Sequence, residues 1–300
     1  MSVERVQRGS AATSPRQIDW LGTVPMVLYH LGCLGVLFTG VSVPAVLLFV
    51  AVYWTMMFGI TAGFHRYFSH RSFRTSRGFQ FVLAFLGTMA AQMGPLWWAS
   101  HHRRHHRYSD TEHDAHSPRL RGFLWAHVGW IFDRAHVRTD ERYVKDWLEY
   151  PELRWIDRHR YVPPLVLGLA CFLLGAGLGA VSPGLGASGL QLVVWGFFVS
   201  TTVCYHVTFC INSVTHLVGR RRFETEDGSR NVALLALLTM GEGWHNNHHR
   251  FPSSERHGVA WWEIDLTHYV LTLLSKVKIV WGIKLATPEM IAAAKQRRAA

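Results

Sequence analysis

Cysteine is scarce in this sequence: Cys33, Cys171, Cys204 and Cys210 are the four among 300 residues, and no two form a C-x-x-C pair. That spacing excludes a disulfide framework, a thiolate metal site and an iron–sulfur cluster. A glycine-rich dinucleotide-binding pattern is also missing, so no nicotinamide or flavin domain is expected. Acidic residues are few, 20 Asp and Glu against 31 Lys and Arg, which leaves a net charge of +11. No nucleic-acid motif accompanies that charge, so nucleic acid is excluded as a partner. No internal repeat at a fixed period occurs.

Charge is most lacking in four stretches, Leu21 to Phe38, Ser42 to Phe64, Val162 to Val181 and Leu190 to Ile211. Each approaches the ~20 apolar residues that cross a bilayer. The first reads as a retained helix rather than a signal peptide, because a second run follows at once and no cleavage pattern stands out. The mean hydropathy of +0.08 is thus an average over apolar spans and polar connections. The connections Thr39 to Val43 and Ser182 to Gly189 are short and hold no Lys or Arg, whereas Met1 to Trp20, His65 to Tyr161 and Asn212 to Ala300 hold all of them. The positive-inside rule then places both termini and the long middle segment in the cytoplasm of a bacterial inner membrane. The expected fold is an all-α integral membrane protein. One domain over residues 1–300 has four transmembrane helices and a cytoplasmic helical cap from 65–161 and 212–300.

A further apolar stretch, Gly78 to Trp98, reads as a buried or half-immersed helix at the membrane face. A fifth span there would carry the next polar cluster to the wrong side. Val232 to Met240 is too short to cross, and Trp147 to Tyr161 and Trp261 to Trp281 have the mixed aromatic and basic character of interfacial helices.

What the sequence has in abundance is histidine, 19 residues. They cluster at His65 and His70, at His102-Arg-Arg-His105-His106 and at His245-Asn-Asn-His248-His249, with Asn212-Ser-Val-Thr-His216 at the end of the fourth span. Positions i, i+3 and i+4 share a helix face, so each H-x-x-H-H box can aim its imidazoles at one place. His65 and His70 lie about 140° apart on an ideal α-helix. They could serve two metals or sit where the helix frays. The nine imidazoles of His65, His70, His102, His105, His106, His216, His245, His248 and His249 exceed what one ion can hold, so two ions are expected. Imidazole alone leaves zinc, copper, iron and nickel open. An apolar membrane pocket ringed by histidine favours a redox metal acting on lipid, and iron is the expected one. By contrast His30, His113, His116, His127, His136, His159, His257 and His268 read as surface or headgroup contacts. His101 reads as a supporting or surface residue, and His206 as a buried hydrogen-bonding group within a span.

These residues resemble those of the membrane fatty-acyl desaturases of the stearoyl-CoA desaturase type, including cyanobacterial and plant delta-9 enzymes. The resemblance rests on HRYFSHRSF from His65, HRRHHRYSDTEHDAHSP from His102, GFLWAHVGW from Gly122, NSVTH from Asn212 and GEGWHNNHH from Gly241. It implies four transmembrane helices under a cytoplasmic cap and a diiron centre held by the same nine histidines, with Asn212 holding a metal through water. It further implies a kinked acyl tunnel near Gln92 and Trp98. The Asn-Asp and Arg-Asp pairs that help animal enzymes grip CoA are Met93-Gly94 and Ser100-His101 here, and Ala115 replaces a usual proline. The acyl carrier is therefore open between CoA, membrane lipid and carrier protein.

An unactivated methylene has no acidic proton, so removing its hydrogens needs a strong oxidant, which two irons can make from dioxygen and two electrons. Asp110, Asp114 and Glu242 are candidates to orient ligand imidazoles. The electrons must come from a separate donor, such as a ferredoxin or a cytochrome b5-like protein, for which Arg103, Arg104, Arg107, Arg119 and Arg121 offer a basic surface. Two rivals remain: a histidine-box membrane hydroxylase, and a metal transporter. A transporter would string ligands across the bilayer, whereas every cluster here falls on one side.

Overall fold

The computed structural model describes residues 17–299; the basic residues Arg5, Arg8 and Arg16 used in the topology argument lie outside the described residues. Among the described residues four helices are long and apolar enough to cross a membrane, Trp20–Thr39, Val43–Ser69, Val162–Val181 and Gly189–His216. The second and fourth continue beyond Phe64 and Ile211, where hydropathy falls, and so carry His65 and His216 on their last turns. Their starts are encoded locally. Ser42 accepts from the Ala45 amide and Ser188 from that of Gln191, satisfying donors that a helix start leaves free. Ser42 Oγ also donates to Gln191 Oε1 at 2.7 Å, and Gln191 Nε2 donates to Thr39 O at 2.8 Å, which ties the two short connections together.

Leu21, Leu37, Phe38, Leu47, Leu165, Leu173 and Val181 all point outward and are more than half exposed. An apolar belt of this kind is costly against water and suited to lipid tails. Inside, Val52, Met56, Met57, Leu167, Cys171 and Cys204 fill the space between the second, third and fourth spans.

The apolar stretch expected as one helix over Gly78 to Trp98 is two, Arg77–Met89 and Pro95–Tyr108. Between them Ala91 and Met93 take positive φ values of 54° and 67°, which ends the first helix. Pro95 then starts the second at a favoured position, and Asp157 Oδ1 accepts from the Leu96 and Trp97 amides at 3.0 and 3.1 Å. The break lets the second helix aim His102, His105 and His106 inward. The first lies directly on the second span: a Cβ on Gly59 would sit 2.3 Å from Gly87 N, so only glycine permits this approach.

The rest of the cap is built from short helices, including Pro151–Arg158, Ala233–Leu238, His245–Arg250 and Leu266–Lys276. A two-stranded antiparallel pair joins Arg74–Thr75 to Val280–Trp281. The interfacial reading of Trp261 to Trp281 therefore covers a loop, a helix and a strand rather than one helix. Phe64, Phe68, Phe73, Leu83, Leu96, Trp147, Leu153, Ile156 and Leu271 form the core that fixes the cap on the second span.

Candidate metal centre

The end of the second span is wound as a π-helix from Gly59 to Ser69. In that form each amide bonds the carbonyl five residues back, and the His70 amide donates to His65 O at 3.1 Å. Residues five apart are then stacked, and the two rings stand 4.8 Å apart. The angular separation of an ideal α-helix, which left the pair free to serve different metals, does not apply.

The histidines gather into two groups, His65, His70, His102, His106 and His248 in one and His105, His216, His245 and His249 in the other, with ligand atoms in each within 4.8 Å of one another. This corrects the expectation that each H-x-x-H-H box aims at one place. Each box sends its i, i+4 pair to one group and its middle histidine to the other: His102 and His106 are joined by His248, while His245 and His249 are joined by His105. The reason is packing. The helices Pro95–Tyr108 and His245–Arg250 face each other, so the middle ring of each reaches across to its neighbour's pair. The groups are adjacent, with His106 and His249 rings 4.4 Å apart.

Carboxylates set the orientation of four rings. Nδ1 of His65 lies 2.5 Å from Glu242, that of His105 3.1 Å from Asp114, that of His216 3.0 Å from Asp110 and that of His249 2.5 Å from Asp227. A carboxylate at Nδ1 keeps the proton there and leaves the Nε2 lone pair facing inward. Burial works against ionising Asp114, yet His105 and His116 hold its carboxyl well below the usual range. Asp227 is likewise held low, through its hydrogen bond to His249. Burial, then the fields of neighbouring histidines, push the pKa of His102, His106, His245 and His248 well down, so these rings are neutral.

Inside the groups, Nε2 atoms face Nε2 atoms: His65 to His248 at 3.0 Å, His70 to His102 at 2.8 Å, His106 to His248 at 2.9 Å and His216 to His245 at 3.0 Å. With the proton held on Nδ1 by a carboxylate, His65 and His216 bring bare Nε2 lone pairs to these contacts. Converging lone pairs of this kind are satisfied by cations, so the residues fit a pair of metal ions. Asp110, Asp114 and Glu242 were legible as candidates; Asp227 was missed, because nothing in its turn signals His249. Replacing Asp227 with alanine is expected to weaken metal binding by about 10–100-fold, measured by competition with a chelator. Unchanged affinity would remove it from this role.

Several other histidines correct their surface reading. His257 is buried, with its ring 4.4 Å from His248 and its Nδ1 3.4 Å from Glu242. His116 is buried 4.3 Å from His105, and His136 is buried with Nδ1 2.9 Å from Trp130 O. Arg66, unremarked in the first box, is wholly buried. It donates to Asp265 at 2.9 Å, Glu255 at 3.1 Å and Glu242 at 3.3 Å. Gly241 belongs to this network: its φ is +123°, and a Cβ would meet Asp265 Oδ1 at 2.4 Å. Arg103 turns inward to a bidentate pair with Asp146 at 2.8 and 2.9 Å, so it is not part of an outer basic surface.

His206 is exposed rather than buried. Its Nε2 lies 2.9 Å from His30 Nε2 and its Nδ1 3.0 Å from His127 Nε2. Because His206 uses opposite nitrogens, these rings form a chain that links two spans to the cap and do not converge on one point.

A cavity opens beside the histidines, walled by Met26, Tyr29, Ile60, Tyr205 and Phe209. Gln92, Trp98, His101 and Asn212 also line it. Gln92 Nε2 donates to Thr208 Oγ1 at 3.3 Å, and Trp98 stacks on His102 at 4.9 Å.

Four spans, a helical cap and two adjoining imidazole groups beside an apolar cavity define a class: polytopic membrane proteins with a histidine-rich site suited to metal at one end. The chain belongs to the fatty acid desaturase family, whose model matches residues 41–280. It is accordingly an oxidoreductase of a family that uses metal and dioxygen on acyl chains. It is similar to the sn-1 stearoyl-lipid 9-desaturase of Anabaena variabilis, 38% identical over 279 residues that cover 92% of this chain and 97% of that protein. A Synechocystis protein of the same name is 40% identical over 228 residues, 76% of this chain and 67% of that one. The hex-5-enoyl-[acyl-carrier protein] acetylenase of Moorena producens is 38% identical over 259 residues, 83% of this chain and 79% of that one.

Proposed function

We propose that this protein introduces a cis double bond at the delta-9 position of a saturated acyl chain carried on membrane lipid or CoA. In this reading the nine histidines hold two iron ions, with Asn212 acting through water. The observation that carries the reading is the meeting of two imidazole groups with an apolar cavity, together with the names of the lipid 9-desaturases to which the chain is similar.

Two irons bound there would supply, with dioxygen and two external electrons, an oxidant able to take hydrogen from an unactivated methylene. The protein's part is placement. Met26, Tyr29, Tyr205 and Phe209 desolvate the chain. Gln92 and Trp98, on the wall beside the histidines, fix which methylene lies within reach, since an ångström of misplacement is costly. Glu242, Asp114, Asp110 and Asp227 hold the proton at Nδ1 of four imidazoles and keep Nε2 pointed at the metals.

Both termini, the cap and the site lie in the cytoplasm in this reading, and residues 1–300 act as one domain. A ferredoxin or cytochrome b5-like donor meets the basic surface of Arg104, Arg107, Arg119 and Arg121. The test is the fatty-acid profile, with double-bond localisation, of bacterial membranes expressing the chain with a working donor. A new delta-9 monounsaturated acid is expected. Hydroxylated acids would move the assignment to the oxygenase rival, and an unchanged profile from metal-loaded protein would overturn it.

A further inference from the structure

Among the described residues that line the cavity, Arg160 is the one Lys or Arg. It stands just before the third span, next to Tyr161, with Gly22, Pro25 and Met26 of the first span also on the cavity wall. Arg160 is half-buried as a residue, and its Nε–H is buried without a hydrogen-bond partner. The nearby carboxylate is already used: Asp157 takes the Leu96 and Trp97 amides on Oδ1 and the Thr139 hydroxyl on Oδ2. Arg221, Arg230, Arg250 and Arg256 also leave an Nε–H without a partner, but they do not line the cavity. Tyr161, half exposed, and Tyr29, on the cavity wall, lie within electrostatic range of each other. The Arg160 guanidinium also stands 5.2 Å from the Tyr161 ring.

A buried guanidinium N–H without a partner, at the wall of a largely apolar cavity, is costly unless an acceptor meets it. The carboxylates in its surroundings are engaged elsewhere, Asp157 by two backbone amides and the cavity residue Glu242 by His65 and Arg66, which leaves an anion that arrives with the ligand to meet its free N–H. Planar N–H pairs match a phosphate in a bidentate way, and hydrogen bonds to a charged group are the strong ones. Tyrosine hydroxyls beside it can donate to the remaining phosphate oxygens or to an ester carbonyl. An uncharged sugar headgroup would leave the cation unpaired, and specificity arises from that kind of mismatch.

We propose that Arg160, with Tyr29 and Tyr161, receives the phosphate of the acyl carrier, so that this protein selects phosphate-bearing carriers over neutral glycolipids. The inference rests on the acyl-chain reading above but not on turnover. The phosphate belongs to a phospholipid headgroup, to CoA or to a phosphopantetheine arm, and the three are told apart by competition.

The experiment uses the full chain in detergent and follows quenching of its tryptophan fluorescence, to which the cavity residues Trp97, Trp98 and Trp130 contribute, by brominated stearoyl lipids. Brominated phosphatidylglycerol is expected to bind about 10–100-fold more tightly than brominated monogalactosyl diacylglycerol. Arg160→Gln should remove that preference by weakening the phospholipid alone, while Arg160→Lys restores part of it. Displacement by stearoyl-CoA or by stearoyl-phosphopantetheine identifies a thioester carrier, and displacement only by phospholipid identifies the lipid. Equal binding of both lipids by the native protein would overturn the proposal. So would a preference kept in Arg160→Gln, or lost equally in the exposed neighbour variant Arg158→Gln, since that would reflect general attraction at the surface. Because binding is read without catalysis, a protein that shows the preference yet makes no double bond would defeat the desaturase reading and leave this one standing.

Discussion

Replacing His248 with alanine is expected to abolish double-bond formation and to remove metal from the protein. His248 is the single imidazole that the third box sends to the five-histidine group, and its Nε2 lies 3.0 Å from that of His65 and 2.9 Å from that of His106. The other two histidines of its helix, His245 and His249, are committed to the other group. The loss should exceed the about 10–100-fold typical of removing an outer partner of a ligand. Metal content per chain by mass spectrometry, measured with the fatty-acid profile, checks it. A variant with full metal and undiminished product would mean that the five-histidine group is not the working site.

The second large effect concerns a residue that touches no acyl chain. Arg66 is fully buried among Glu242, Glu255 and Asp265. Replacing it with methionine leaves three carboxylates without their cation, and breaking a buried ion pair by removing one partner costs about 3–5 kcal/mol. Thermal unfolding in detergent is the measurement, with Arg66→Lys expected to fall between the two because it keeps the charge and loses the fork. An unfolding midpoint in Arg66→Met equal to that of the native protein would show that the carboxylates are held by something else. Glu242 also touches His65 Nδ1, so the metal site should loosen together with the fold.

The spans and the histidine boxes were legible in the sequence because both depend on short-range periodicity. Hydropathy located the four spans, and it fell away before their ends because Phe64 and Ile211 are followed by polar residues that the same helices continue through. The π-winding that joins His65 to His70 could not be read from spacing, which assumes an α-helix. The exchange of middle histidines depends on how two helices meet, and no single helix contains that information. His257 and Asp227 sit in segments without helical pattern, and Asp227 is 22 residues from His249. Arg66 went unremarked, because the acids that neutralise it are spread over the later cap.

The exchange of middle histidines has a mechanical consequence. A rotation of the helix Pro95–Tyr108 about its axis draws His102 and His106 from one group and His105 from the other in the same movement, and the helix His245–Arg250 behaves in the mirrored way. Neither cluster can be widened while its neighbour stays fixed. A disturbance at one histidine group would thus reach the other through rigid geometry, without any intervening relay.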